Sequence, residues 1–69
     1  MNTLGDALPE EMARVRKLIV RYRHPALGGS GEIAARMMEA SLQAADKAVM
    51  SGDVIEMLRC YEDLKGYSE

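Results

Sequence analysis

The stretch "AVMSGDVIEMLRCYEDLKG", Ala48–Gly66, decides how this chain folds. It reads as the end of one helix, a tight turn and a second helix. Gly52 lacks a Cβ and can take the left-handed conformation that closes a helix, and Asp53 with Glu56 makes a D-x-x-E capping pattern for the next one. Val54, Met57, Leu58, Tyr61 and Leu64 then recur at helical spacing, with Gly66 as the stop, so Gly52 and Gly66 are both expected at positive φ. Ala48, Gly52 and Leu58 also fit the spacing of a DNA-reading helix-turn-helix. Charge argues against that use. The second helix carries Asp53, Glu56, Glu62 and Asp63 against Arg59 and Lys65, and rows of phosphate would repel it. The stretch is read as a plain αα-hairpin.

Upstream of the turn, Ser30 or Gly31 is the candidate cap of a helix over residues 31–50. Its polar residues Glu32, Arg36, Glu39, Gln43, Asp46 and Lys47 fall on one strip. Ile33, Ala34, Met37, Met38, Ser41, Leu42, Ala44, Ala45, Ala48 and Val49 cover the rest, a wider apolar surface than one neighbour requires. This helix is expected at the centre, against two neighbours or against one neighbour and a partner chain. Pro25 forces His24 away from helical angles, so residues 24–30 read as a loop. Pro9 suits a first helical position, and Glu10 and Glu11 complement the positive end of the helix dipole. A helix over 9–23 follows, its stripe made of Leu8, Met12, Val15, Leu18, Ile19 and Tyr22, with residues 1–8 as an arm. The expected fold class is all-α: one small three-helix domain ending in the αα-hairpin.

At 69 residues a single core barely offsets chain entropy, and the usual staples are missing. One cysteine excludes an internal disulfide, and one cysteine with one histidine cannot fill a tetrahedral zinc site. Self-association, most simply as a dimer, is the expected staple. "GGSGE", Gly28–Glu32, lacks the Lys and Ser/Thr of a phosphate-cradling loop, so no cofactor is expected. Cys60 and His24 could serve as nucleophile and base only with a third residue to orient them, and none is marked out. Cys60 reads as a small packing residue, and Met12, Met37, Met38 and Met57 as core filler. No enzyme activity is expected. The N-terminus has neither a basic start nor an apolar run, and no stretch approaches the roughly 18 apolar residues of a membrane span. A cytoplasmic protein without membrane contact is expected.

The net charge of −2 is unevenly spread. Pro9–His24 holds five Lys/Arg against two Glu, and Pro25–Glu69 holds four against eight Asp/Glu. Arg14, Lys17 and Arg21 line up opposite the apolar stripe of the first helix, forming the candidate partner-binding face for an acidic protein. Nucleic acid is disfavoured, because no aromatic or amide side chains are interleaved to contact bases. Exposed basic residues add little individually to folding, so reversing Arg14 and Arg21 to Glu is expected to leave the fold nearly intact.

"LGDALPEEMARVR", Leu4–Arg16, together with "AADKAVMSGDVIEMLRCYEDLKG", Ala44–Gly66, resembles a group of small uncharacterised proteins of transposable, Mu-like phages and their prophages in Gram-negative bacteria. The shared features are a Pro followed by Ala13–Arg16, then Gly52–Val54, Met57, Leu58 and Tyr61–Gly66. What the resemblance implies is a phage or prophage source and a bacterial host cell; it brings no catalytic or binding residues. The expected function is a helical protein–protein interaction module of the phage type that self-associates and binds a host or phage protein. The alternative is a small DNA-associated regulator working through the basic first helix.

Overall fold

Thr3 starts the first helix. Its side-chain oxygen accepts the Asp6 N–H at 3.3 Å and its hydroxyl donates to the Asp6 carboxylate at 3.1 Å, a reciprocal cap. In the computed structural model, which describes residues 3–68, helix α1 therefore spans Leu4–Tyr22. This corrects the expected start at Pro9 and the arm over residues 1–8; residues 1–2 of that arm lie outside the described residues. Pro9 stands inside the helix, where its missing N–H frees only the carbonyl of exposed Gly5. The earlier start also carries Leu8 into the core with no surface left exposed. The rest of the stripe is as expected, with Met12, Val15, Leu18 and Ile19 buried and Tyr22 half-buried.

Pro25 ends α1 as its chemistry requires. His24 is extended, with φ −61° and ψ 135°, and its Nδ1 accepts the Ala26 N–H at 3.2 Å. A single 3₁₀ turn, Pro25–Leu27, leads through Gly28, at φ 63°, straight into helix α2, Gly28–Ser51. The loop expected over 24–30 is thus shorter, and neither Ser30 nor Gly31 is the cap. Leu27 holds that position without a side-chain bond, while the Ser30 hydroxyl donates back to the Leu27 carbonyl at 3.1 Å. Gly31 is buried for a different reason. A Cβ built there would stand 2.0 Å from the Tyr22 carbonyl oxygen, so only glycine lets the start of α2 lie against the end of α1.

The closing turn follows the expected chemistry at its first glycine. Gly52 is left-handed, with φ 71° and ψ 20°. The Asp53 N–H reaches the Ala48 carbonyl and the Gly52 N–H the Val49 carbonyl, both at 3.2 Å, the paired bonds of a Schellman stop. Asp53 then caps helix α3, Val54–Lys65, by accepting the Glu56 N–H at 3.1 Å. The Glu56 carboxylate does not return the bond and pairs with Arg59 at 3.1 Å instead. Gly66 is a correction: its φ is −71°, so α3 ends without a left-handed residue.

The three helices form an up-down-up bundle without strands among the described residues, and the all-α three-helix class is what the chain adopts. Leu8, Val15, Met38 and Leu64 fill the middle of the core, and the small residues Ala35, Ala45 and Ala48 let α2 approach both neighbours. α3 is turned from its expected orientation. Cys60 and Leu64 are buried and Met57 and Tyr61 half-buried, while Val54 and Leu58 face outward. The reason is that α3 packs into the groove between α1 and α2, and the small Cys60 thiol enters where a larger side chain would hold the helices apart.

Candidate functional site

The basic face foreseen on α1 is partly consumed inside the molecule. Arg14 donates from Nη2 to the Leu64 carbonyl at 2.8 Å, from Nη1 to the Tyr67 carbonyl at 2.9 Å and from Nε to Glu11 at 2.7 Å. One guanidinium thus caps the end of α3 and the residues just after it, at the negative end of the helix dipole, adding to the Tyr67 N–H that the Leu64 carbonyl already accepts. The turn is held on two further sides. Tyr67 shares a 2.9 Å hydrogen bond with Ser41 of α2, and the Tyr22 hydroxyl donates to the Ser68 carbonyl at 2.6 Å. Periodicity could not reveal this latch, since it depends on residues some 26 to 53 positions apart. Arg14 of the candidate partner-binding face is therefore also a structural clamp, so its reversal is expected to cost stability. Lys17 and Arg21 remain on the surface.

A second cation is also engaged. Arg23 bridges from the end of α1 to Glu32, at 3.1 Å, and to Glu39 on α2, with Arg36 joining Glu32 at 3.2 Å. The hydrogen bond from Arg23, with a second from Arg36, holds the Glu32 carboxyl below its ordinary range, and Glu32 and Glu39 raise Arg23 in turn. Because the folded-state value of Glu32 is depressed, its contribution to stability is fully present above the ordinary carboxylate range and is lost as pH falls through the lowered value. The expected result is that melting temperature falls as pH drops below about 4, by less in Glu32→Gln than in the parent. Equal acid sensitivity of the two chains would remove this network as a cause.

Catalytic groupings are not assembled at His24 and Cys60. The His24 Nδ1 is occupied by the Ala26 N–H, and Cys60 lies in the core, where burial first and then Glu56 and Asp63 push its thiol pKa up. Among the described residues no three or more His, Cys, Asp or Glu are placed to hold a metal ion. No helix among them is long and apolar enough to cross a membrane.

What the structure does expose is apolar. Ile33 is 66% and Met37 58% accessible on the outer side of α2, and Val54, Ile55 and Leu58 are more than half accessible on α3. The exposure on α2 has a simple cause. α2 has 24 residues and α3 only 12, so α3, turning back at Gly52, covers only the C-terminal half of α2. A shallow groove of about 390 Å³ runs between α1 and α2, lined by Pro9, Met12, Arg16, Asp46, Val49 and Met50. Its open shape suits a packed side chain better than an enclosed small molecule. No known family model, curated protein or solved structure matches this chain.

Proposed function

We propose that the chain is a helical protein-interaction module whose first partner is a second copy of itself. The observation that carries this reading is the uncovered apolar face of α2 at Ile33 and Met37. The shape of the molecule supports it. The bundle measures 38 × 23 × 15 Å with a radius of gyration of 12.5 Å, against about 11 Å for a compact domain of this length. Its accessible surface is 4787 Å², where a folded monomer of this mass exposes about 4300 Å². The excess is what an open slab shows before it is covered. An acidic partner on α1, or DNA, would depend on a basic face that has given Arg14 to α3, and these readings are not adopted. The resemblance to Mu-like phage proteins belongs to the same proposal, as a setting in which a small helical chain works by binding protein.

If self-association completes the core, folding is coupled to assembly and the melting temperature depends on concentration. Thermal unfolding followed over a hundredfold range of protein concentration should therefore move upward by several degrees. A midpoint that stays constant over that range would place all of the stability inside one chain.

A further inference from the structure

The outer side of α2 specifies how two copies would meet, an inference that rests on the self-association proposed above. Ile33, Met37, Ala40, Ala44, Lys47 and Ser51 follow one another at alternating steps of four and three residues, and Ile33, Met37, Ala40 and Ala44 are all exposed. That is the heptad rhythm of a coiled-coil seam. Its apolar part is unequal at its two ends: the large side chains Ile33 and Met37 come first, the small Ala40 and Ala44 second.

The geometry points to an antiparallel homodimer through α2, about a two-fold axis crossing the helix between Met37 and Ala40. In that arrangement Ile33 lies opposite the partner's Ala44 and Met37 opposite the partner's Ala40, so large meets small at every apolar level and the contact closes on itself. Parallel pairing would instead press Ile33 on Ile33 and leave Ala44 facing Ala44, with uneven gaps along the seam. Charges agree with the antiparallel order. Arg36 comes level with the partner's Ser41 and beside the partner's Gln43, about 7.5 Å along the seam from the partner's Arg36 with Glu32 balancing its charge, and Lys47 comes level with the partner's Ser30.

Area distinguishes a stable pair from a passing contact. The face of α2 from Gly29 to Ser51 is a strip about 33 Å long and about 12 Å wide, roughly half of the about 800 Å² that each partner contributes to a standard interface. The rest comes from α3. It lies on the Ser41 and Ala48 side of the seam, as the Tyr67–Ser41 bond and the cleft that Ala48 and Glu56 line together show. A two-fold axis perpendicular to α2 puts both copies of α3 on that flank. Each then stands beside the N-terminal half of α2 that the other chain's own α3 leaves bare.

Cross-linking tests this directly in chains carrying Cys60→Ala, each checked by circular dichroism for its helical fold. Ile33→Cys chains mixed with Ala44→Cys chains should be joined by a short bismaleimide, while either variant alone should stay unlinked, because its own cysteines are then about 16 Å apart along the seam. A second variant, Met37→Glu, alters an exposed side chain and should give a folded monomer in sedimentation. Self-linking of Ile33→Cys, or no linking in the mixture while sedimentation still reports a dimer, would overturn the seam and leave self-association standing. A folded Met37→Glu that remains dimeric would do the same. A monomeric parent chain would remove both.

Discussion

Gly31→Ala lowers the melting temperature by more than about 12 °C, or abolishes the cooperative transition, whereas Gly29→Ala two positions earlier raises it slightly. These opposite outcomes follow from one measurement of space. The added methyl at position 31 meets the Tyr22 carbonyl oxygen at 2.0 Å and the Leu27 Cβ at 3.0 Å, while at position 29 nothing lies within 4 Å. The obstruction at Gly31 is backbone and cannot rotate away, so α2 must shift off α1 and the core contacts of Ala35 and Met38 open with it. Overpacking of this kind costs about 3 kcal/mol or more. At Gly29 only the entropy of the unfolded glycine changes, worth roughly 0.5 kcal/mol in favour of alanine. Thermal unfolding of both variants by circular dichroism checks the pair. Similar melting temperatures would mean that α2 does not enter the bundle at Gly31.

Arg14→Glu has the next largest effect, a loss of roughly 3 kcal/mol, because it removes charge-assisted bonds to two carbonyls and introduces a repulsion. The Tyr67 carbonyl loses its Arg14 donor, the Leu64 carbonyl keeps only the Tyr67 N–H, and the new carboxylate stands beside Glu11 and the negative end of α3. Lys17→Glu, on the same side of α1 but without an ion pair among the described residues, should change stability by less than about 0.5 kcal/mol. Denaturant titration of both variants separates the two positions. Equal midpoints would return Arg14 to the solvated surface and restore the basic face as a candidate for binding.

Local chemistry made much of the fold legible. Pro25, Gly52 and Asp53 act through backbone angles and hydrogen bonds to near neighbours, and each does in the structure what its residue type dictates. The stripe of α1 was also readable, since one continuous period from Leu8 to Ile19 meets one core. Pro9 misled because two start signals compete there, and the reciprocal Thr3–Asp6 cap together with the burial of Leu8 outweighs a proline inside the helix. Gly29 and Gly31 have low helix propensity, yet they are helical because packing at Gly31 decides, while Gly28 enters α2 at a positive φ that suits glycine. The orientation of α3 was not readable: Leu58 and Cys60 both fit helical spacing, and only packing against both α1 and α2 buries Cys60 and leaves Leu58 exposed. The candidate site divided along the same line. That α2 has more apolar surface than its neighbours cover was legible from its composition, whereas the loss of Arg14 to α3 depends on carbonyls fifty residues away.

Sedimentation equilibrium of the full chain decides whether the uncovered face of α2 is closed by a second copy. At tens of micromolar the chain should run as a single species of twice its 7.6 kDa mass, dissociating on dilution. A species of 7.6 kDa across the same concentrations, folded and melting cooperatively, would contradict it.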